Sequence, residues 1–212
     1  MASSHFITDY FLSFFRVLRD DANTVGKIDF SPDSQPLPDN FIWSRTLGRY
    51  SRHDLHRRTG LGKLIYMAKS KACQEAADRL VEIIIQNLSD DPPPFRPEVV
   101  TIVPDTEINR PFMPVPYIAQ KLADFWGADA ILDCLGPVRL EKPQKKRTPD
   151  ERKGDIEARY FLRDKSRLSG HTVLIFDDIY GTGQSLREAV KLLVDAGSKA
   201  VLAMTIARIG DL

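Results

Sequence analysis

The chain has 212 residues, 42% of them hydrophobic, and its 30 basic and 29 acidic side chains leave a formal net charge of +1. It can bury one substantial core, but no run of about 18 apolar residues is present to cross a membrane, and the N-terminus lacks the basic and apolar regions of a secretory leader. The near-zero charge excludes a global field for nucleic acid, and Cys73 and Cys134, far apart without metal-ligand spacing, read as structural thiols in a reducing, cytoplasmic setting.

Phe6, Tyr10, Phe11, Phe14, Phe15 and Leu18 recur at helical spacing and predict a helix packed on the core or on a second copy of the chain. Residues 31–40 hold three prolines and read as a linker. From Arg45 to Lys71 eight basic residues stand against one acid, Asp54, a local excess whose plain reading is a solvated helix face. Ala68 to Leu88 predicts one long amphipathic helix, ended by the four prolines between Asp90 and Pro97. Beyond Glu98 strand and helix alternate: strand 99–103, helix 116–126, strand 130–134, strand 172–176, helix 185–196 and strand 199–207. Such alternation predicts an α/β fold, a parallel sheet with helices on both faces that binds ligands at the carboxyl ends of its strands. Residues 135–160 interrupt the alternation with a long charged excursion of the kind used for lids. Residues 1–47 are thus expected to form a helical N-terminal region and linker, and 48–212 the α/β domain.

The chemistry concentrates in Thr172 to Leu186. Val173 to Phe176 are four consecutive apolar residues, as in a strand buried on both faces, so the chain is expected to leave the sheet at Asp177. Gly181, Thr182 and Gly183 then allow a tight turn, and Leu186, Ala189, Val190 and Leu193 mark the helix that it opens. Free N–H groups at that helix start, the dipole, and the hydroxyls of Thr182 and Ser185 suit a phosphate monoester. Asp177 and Asp178 cannot serve the same phosphate. They suit a vicinal diol, each accepting hydrogen bonds directly or through a divalent ion. Diol beside phosphate describes a ribose 5-phosphate. A nucleotide P-loop would need Lys where Gln184 stands.

Val173 to Ser185 resembles the phosphoribosyl pyrophosphate (PRPP) signature of type I phosphoribosyltransferases: four apolar residues, two acids, and a turn closing on Thr-Gly-x-Ser/Thr. Within the excursion, Gln144, Thr148, Glu151, Arg152 and an aromatic at Tyr160 or Phe161 are similar to a feature of the ComF branch of that superfamily, with Asp155 where an Asn is usual. Arg49-Tyr50, Lys63 to Lys69, and Val103-Pro104 followed by Arg110 fall where ComF-like chains carry similar residues. The chain departs from the branch in lacking a four-cysteine zinc module, in having Val103-Pro104-Asp105-Thr106 where Val-Pro-Val-Pro is usual, and in having Phe112 to Pro116 where Gly-Phe-Asn-Gln is usual.

The resemblance implies a type I phosphoribosyltransferase-like fold and transfer of 5-phosphoribosyl from PRPP to a nitrogen base. It implies Tyr180, Gly181, Thr182, Gly183, Gln184 and Ser185 on the 5-phosphate, Asp177 and Asp178 on the ribose diol and on Mg²⁺, and Pro104, Asp105 and Thr106 on the pyrophosphate side. Arg110, Lys145, Arg147 and Arg152 are the expected cations on the leaving group, with Lys146 beside them. A homodimer is common among such proteins. Two other readings are a PRPP-binding regulator without turnover, favoured by Asp105, and an association with nucleic acid through Arg45 to Lys71.

Overall fold

The computed structural model describes residues 39–51, 57–105, 111–138 and 159–209. The aromatic helix expected over Phe6 to Leu18, most of the linker and the middle of the excursion lie outside them. Among the described residues the elements run β1 (Phe41–Arg49), α1 (Gly60–Ser70), α2 (Gln74–Asp90), β2 (Val99–Ile102), α3 (Pro114–Trp126), β3 (Asp129–Ala130), β4 (Leu135–Pro137), β5 (Tyr160–Leu162), β6 (Thr172–Tyr180), α4 (Gln184–Asp195) and β7 (Ala200–Arg208).

Five strands form one sheet in the order β1-β7-β6-β2-β3, with every pairing parallel, so β6 lies at its centre. Alternation along the strands divides the core. Leu174, Phe176, Leu202 and Met204 pack with the apolar faces of α1, α2 and α3. Val173, Ile175, Val201 and Ala203 pack on the other side with Leu186, Ala189, Val190 and Leu193 of α4. Helices on both faces of a parallel sheet are the arrangement that the strand–helix alternation predicts.

Four local expectations are corrected. Phe41–Arg49 was expected to belong to the linker and its surroundings, yet it forms the sheet's edge strand along β7, so the boundary drawn after residue 47 falls inside a strand. Its polar Ser44, Arg45 and Thr46 are buried, which hid it from a search for apolar runs. Arg45 is held inward by hydrogen bonds to Asn87 Oδ1 (3.1 Å) and to Asp91, at the carboxyl end of α2 where a cation complements the helix dipole.

The single helix expected over Ala68 to Leu88 is two. Ala72 takes a left-handed φ of 51° between Ser70 and Gln74, and α1 and α2 bury their apolar faces in one common core, which carries the periodicity across the break. The strand expected over 130–134 stops at Ala130. There the buried Thr101 hydroxyl donates to Ile131 O (2.8 Å) and lies 2.9 Å from Cys134 Sγ, drawing the chain into a turn before β4. β4 pairs antiparallel with β5, so the excursion leaves and returns on one two-stranded stem. Finally, β6 does not end at Asp177 but continues beside β7 to Tyr180.

The start of α1 is fixed with little tolerance. Thr59 Oγ1 accepts from Gly62 N (3.0 Å) as the helix N-cap and donates to Arg49 O (2.5 Å), which ties the helix to the end of β1. A Cβ on Gly62 would lie 1.9 Å from Tyr50 O. Gly62→Ala is therefore expected to lower the urea unfolding midpoint, at a cost of about 1–3 kcal/mol for overpacking against backbone. Gly181→Ala, whose Cβ would meet nothing within 4 Å, is the control and should stay within about 0.5 kcal/mol of the parent.

Candidate functional site

The turn after β6 opens directly onto α4. Gly183, at φ 74°, is the residue before the helix, and a Cβ there would lie 2.4 Å from Tyr180 Oη, so both the backbone and the tyrosine ring require glycine. Gly183 offers no side chain to cap α4, and the first turn carries no acidic residue. A helix start of that kind presents its N–H groups and positive dipole end to whatever lies in front.

What lies beside it is another positive charge. The Arg159 guanidinium, on the stem entering β5, donates from Nη2 to Gln184 Oε1 (2.6 Å) and from Nη1 to Ser185 Oγ (3.2 Å). Glu188, one turn into α4, anchors this stem by accepting from the backbone N–H groups of Arg159 and Tyr160, the latter at 3.2 Å. Burial holds the Tyr160 phenol above its usual range, partly offset by its hydrogen bond with Ser185. A guanidinium at an uncapped helix N-terminus is two like electrostatic ends together, an arrangement that an anion between them would relieve.

The acid pair lies at the end of the same strand, and the alternation of β6 sends the two side chains to opposite faces. Asp177 is half-buried on the α4 side, where its charge acts on Tyr160, and its Oδ1 accepts from Asp178 N (2.8 Å). Across the β6–β7 register stands Thr205, whose buried hydroxyl has no hydrogen-bond partner among the described residues. Burial first, and the neighbouring Asp178 second, push the Asp177 carboxyl well above the ordinary carboxylate range.

Asp178 faces the α1 side, retains 6% of its exposure, and pairs with Lys69 Nζ at 2.6 Å. Burial of Lys69 disfavours its charge, but Asp178, and after it Asp105 and Asp177, outweigh that and hold the ammonium above its usual pKa. The route by which Lys69 arrives is geometric. α1 is docked at Gly62 against the end of β1, and the seven residues to Lys69 advance about 10 Å along the helix.

The expected residues fall into three groups. Tyr180, Gly181, Thr182, Gly183, Gln184, Ser185, Asp177 and Asp178 gather at the carboxyl end of β6, with Pro104 and Asp105 beyond the end of β2, the next strand. Thr106, Arg110, Lys145, Arg147 and Arg152 lie outside the described residues. Two residues of the site were not singled out from sequence. The sequence places Lys69 in a basic stretch and in the Lys63 to Lys69 segment that is similar to ComF-like chains, and Arg159 in the excursion, without giving either a role in the site. The basic stretch from Arg45 to Lys71 is not one surface: Arg45 points into α2, Arg58 stacks 4.0 Å over the Tyr66 ring, and Lys69 pairs with Asp178.

No three His, Cys, Asp or Glu side chains converge on a metal position among the described residues. Mg²⁺, however, is commonly held by one or two carboxylates together with phosphate oxygens, and Asp177 and Asp105 at adjacent strand ends are carboxylates of that kind. No helix among the described residues is long and apolar enough to cross a membrane.

Residues 112–210 match the family model of the phosphoribosyl transferase domain. That span holds Asp177, Asp178, Arg159 and the 180–185 turn, whereas Lys69 and Asp105 precede it. No curated protein matches the chain. Similar solved structures include glutamine PRPP amidotransferase from B. subtilis complexed with ADP and GMP, at 21% identity over 61% of this chain and 25% of that one, with a TM-score of 0.42. Adenine phosphoribosyltransferase from Leishmania tarentolae is similar at 11% identity over 88% of this chain and 100% of that one, with a TM-score of 0.42. Purine phosphoribosyltransferase from Pyrococcus horikoshii is similar at 14% identity over 63% and 85%, with a TM-score of 0.37. The chain thus covers a quarter of the amidotransferase's length.

The raised Asp177 pKa has a stability consequence with a definite sign. A carboxyl that binds its proton more tightly when folded contributes less to stability as pH rises above the ordinary carboxylate range. Asp177→Asn removes that penalty. Urea unfolding of the ligand-free protein at pH 8 should find the variant more stable than the parent by on the order of 1 kcal/mol, with the difference fading towards pH 4. A variant less stable at both pH values would mean that the carboxylate is a structural anchor.

Proposed function

We propose that the protein binds PRPP and transfers its 5-phosphoribosyl group to a nitrogen base with release of pyrophosphate. The observation that carries this reading is the bare N-terminus of α4 with Arg159 beside it, at the end of the strand that bears Asp177 and Asp178. The match of residues 112–210 to the phosphoribosyl transferase domain supports it.

In this reading the 5-phosphate lies on the N–H groups of Gly181 to Ser185 and against Arg159, which donates the charge-assisted hydrogen bonds that a phosphate prefers. Asp177 and Asp178 hold the ribose hydroxyls at the end of β6. With its 5-phosphate towards α4, the ribose directs C1 and its diphosphate towards β2, over Pro104, Asp105 and Thr106. As the bond from C1 to pyrophosphate lengthens, positive charge develops on the ribose ring, and the carboxylates below stabilise it. Asp177 and Asp105 are the carboxylates that would hold Mg²⁺, which would supply positive charge to the leaving group. Arg110, Lys145, Arg147 and Arg152 are the further cations assigned to that group. We further assign the chain to a ComF-like branch without the zinc module, as a cytoplasmic homodimer.

Asp105 favours a second reading. A carboxylate on the pyrophosphate side repels the leaving group unless a cation intervenes, and a PRPP-binding regulator without turnover would tolerate it.

The test is calorimetry with PRPP and Mg²⁺, followed by a pyrophosphate-release assay with a panel of bases. Binding should weaken by about tenfold or more in Arg159→Met, and by about 2 kcal/mol or more when Asp177→Asn and Asp178→Asn are combined. Absence of PRPP binding by the parent protein would sink both readings. Binding without pyrophosphate release from any base would leave the regulator.

A further inference from the structure

Resting on that reading of the site, one feature of the acid pair remains unexplained: Asp178, assigned to the diol, is already occupied. Its Oδ2 accepts from Lys69 Nζ at 2.6 Å, and the carboxylate side chain is only 8% exposed. The carboxylate has further acceptor sites, but so little of it is exposed that a ribose hydroxyl reaching Asp178 would compete with Lys69 for the same opening. Releasing Lys69 into nothing would leave a half-buried ammonium without its counter-charge, which is unfavourable.

The surroundings of Lys69 supply the alternative partner. Its side chain is 28% exposed, so one side of the ammonium faces solvent. It stands at the end of α1, on the sheet face opposite α4, and within electrostatic reach of Asp105 beyond β2. With the 5-phosphate anchored at α4, this is the end of the ligand that carries the diphosphate. Asp105 would repel a diphosphate, and Lys69 is the cation between them.

We propose that Lys69 is a substrate-exchanged cation: it neutralises Asp178 in the free protein, and on PRPP binding it yields Asp178 to the ribose hydroxyls and donates instead to a diphosphate oxygen. The exchange makes the diphosphate a condition for filling the diol site. Ribose 5-phosphate, which can displace Lys69 but offers it no new partner, is discriminated against. Lys69 thereby acts as a specificity determinant, and it offsets the charge that Asp105 places on the pyrophosphate side.

The experiment is a comparison of dissociation constants for PRPP and for ribose 5-phosphate, both with Mg²⁺, in the parent protein, Lys69→Met and Lys69→Arg, with urea unfolding of each as a folding control. Lys69→Met should lose about tenfold or more in PRPP affinity while its ribose 5-phosphate affinity stays level or rises, which collapses the ratio between the two ligands. Lys69→Arg, which keeps the charge and the fold, should retain most of the preference. Inorganic pyrophosphate should compete with PRPP in the parent and much less in Lys69→Met. Parallel loss of both ligands, or an unchanged ratio in a folded Lys69→Met, would overturn the exchange and leave Lys69 as a structural partner of Asp178. Should Lys69→Met fail to fold, the pyrophosphate competition in Lys69→Arg decides: loss of competition there with the charge retained overturns the proposal. Failure of the parent to bind PRPP at all would refute the underlying reading of the site rather than the role of Lys69 alone.

Discussion

Two adjacent carboxylates follow four strand residues, Val173 to Phe176, that are fully buried, and an ionised carboxylate taken from water costs several kcal/mol unless a charge or hydrogen bonds answer it. The two acids are answered differently. Asp178 receives Lys69 at 2.6 Å, so its charge is met by a full opposite one. Asp177 receives one backbone N–H, which only partly offsets its burial and the neighbouring Asp178, and its pKa rises. The remainder of the site follows from this inequality: one carboxylate is paired with a cation on the α1 face, and the other has no such partner on the α4 face.

Supplying Lys69 requires that α1 begin in one place. Lys69 lies seven residues beyond Gly62, so its position is set by where the first turn of α1 meets the end of β1. Thr59 and Gly62 fix that meeting, the first by hydrogen bonds to both the helix and Arg49, the second by presenting no Cβ to Tyr50 O. The ion pair at the centre of the sheet therefore depends on a glycine near its edge. A shift of the helix by one residue would move Lys69 by about 1.5 Å and rotate it by more than a quarter turn, away from Asp178.

The sheet's centre was legible in the sequence because four consecutive apolar residues have no other home than a doubly covered strand, and the turn was legible because Gly181, Thr182 and Gly183 follow two acids. The edge was not. β1 buries Ser44, Arg45 and Thr46, and what satisfies Arg45 is Asn87 and Asp91 at the far end of another helix, a contact that no local pattern encodes. The break at Ala72 was hidden because both helices face one core, so the apolar period runs through it. Strand β6 ran past the expected end because pairing with β7 through Tyr180 and Arg208 supports charged residues that propensity alone would exclude. Of the site, the acids and the phosphate turn were readable from type and spacing. Lys69 and Arg159 were not, since each reaches the site through tertiary packing from more than twenty residues away in sequence.

Away from the carboxyl end of β6 the chain keeps some local rules and breaks others: α2 and α3 also start without a side-chain cap, and Ala72 takes a positive φ. Thr59 caps α1, Pro114 opens α3 where a missing N–H costs nothing, and Gly127 closes α3 in the left-handed conformation. At that end the rules are broken together. Helix α4 starts without a cap or a first-turn acid, an arginine sits beside its positive pole, a carboxyl is held above its ordinary pKa, and a buried hydroxyl beside it lacks a partner. Each departure is unfavourable in the free protein. What distinguishes the carboxyl end of β6 is that its charges are complementary to an outside group: the positive groups would favour an anion, and the acids hydroxyl donors or a cation. Both demands are met by one molecule with a phosphate at one end and a diol beside it, which is why the charges of this site, and not its fold, carry the functional reading.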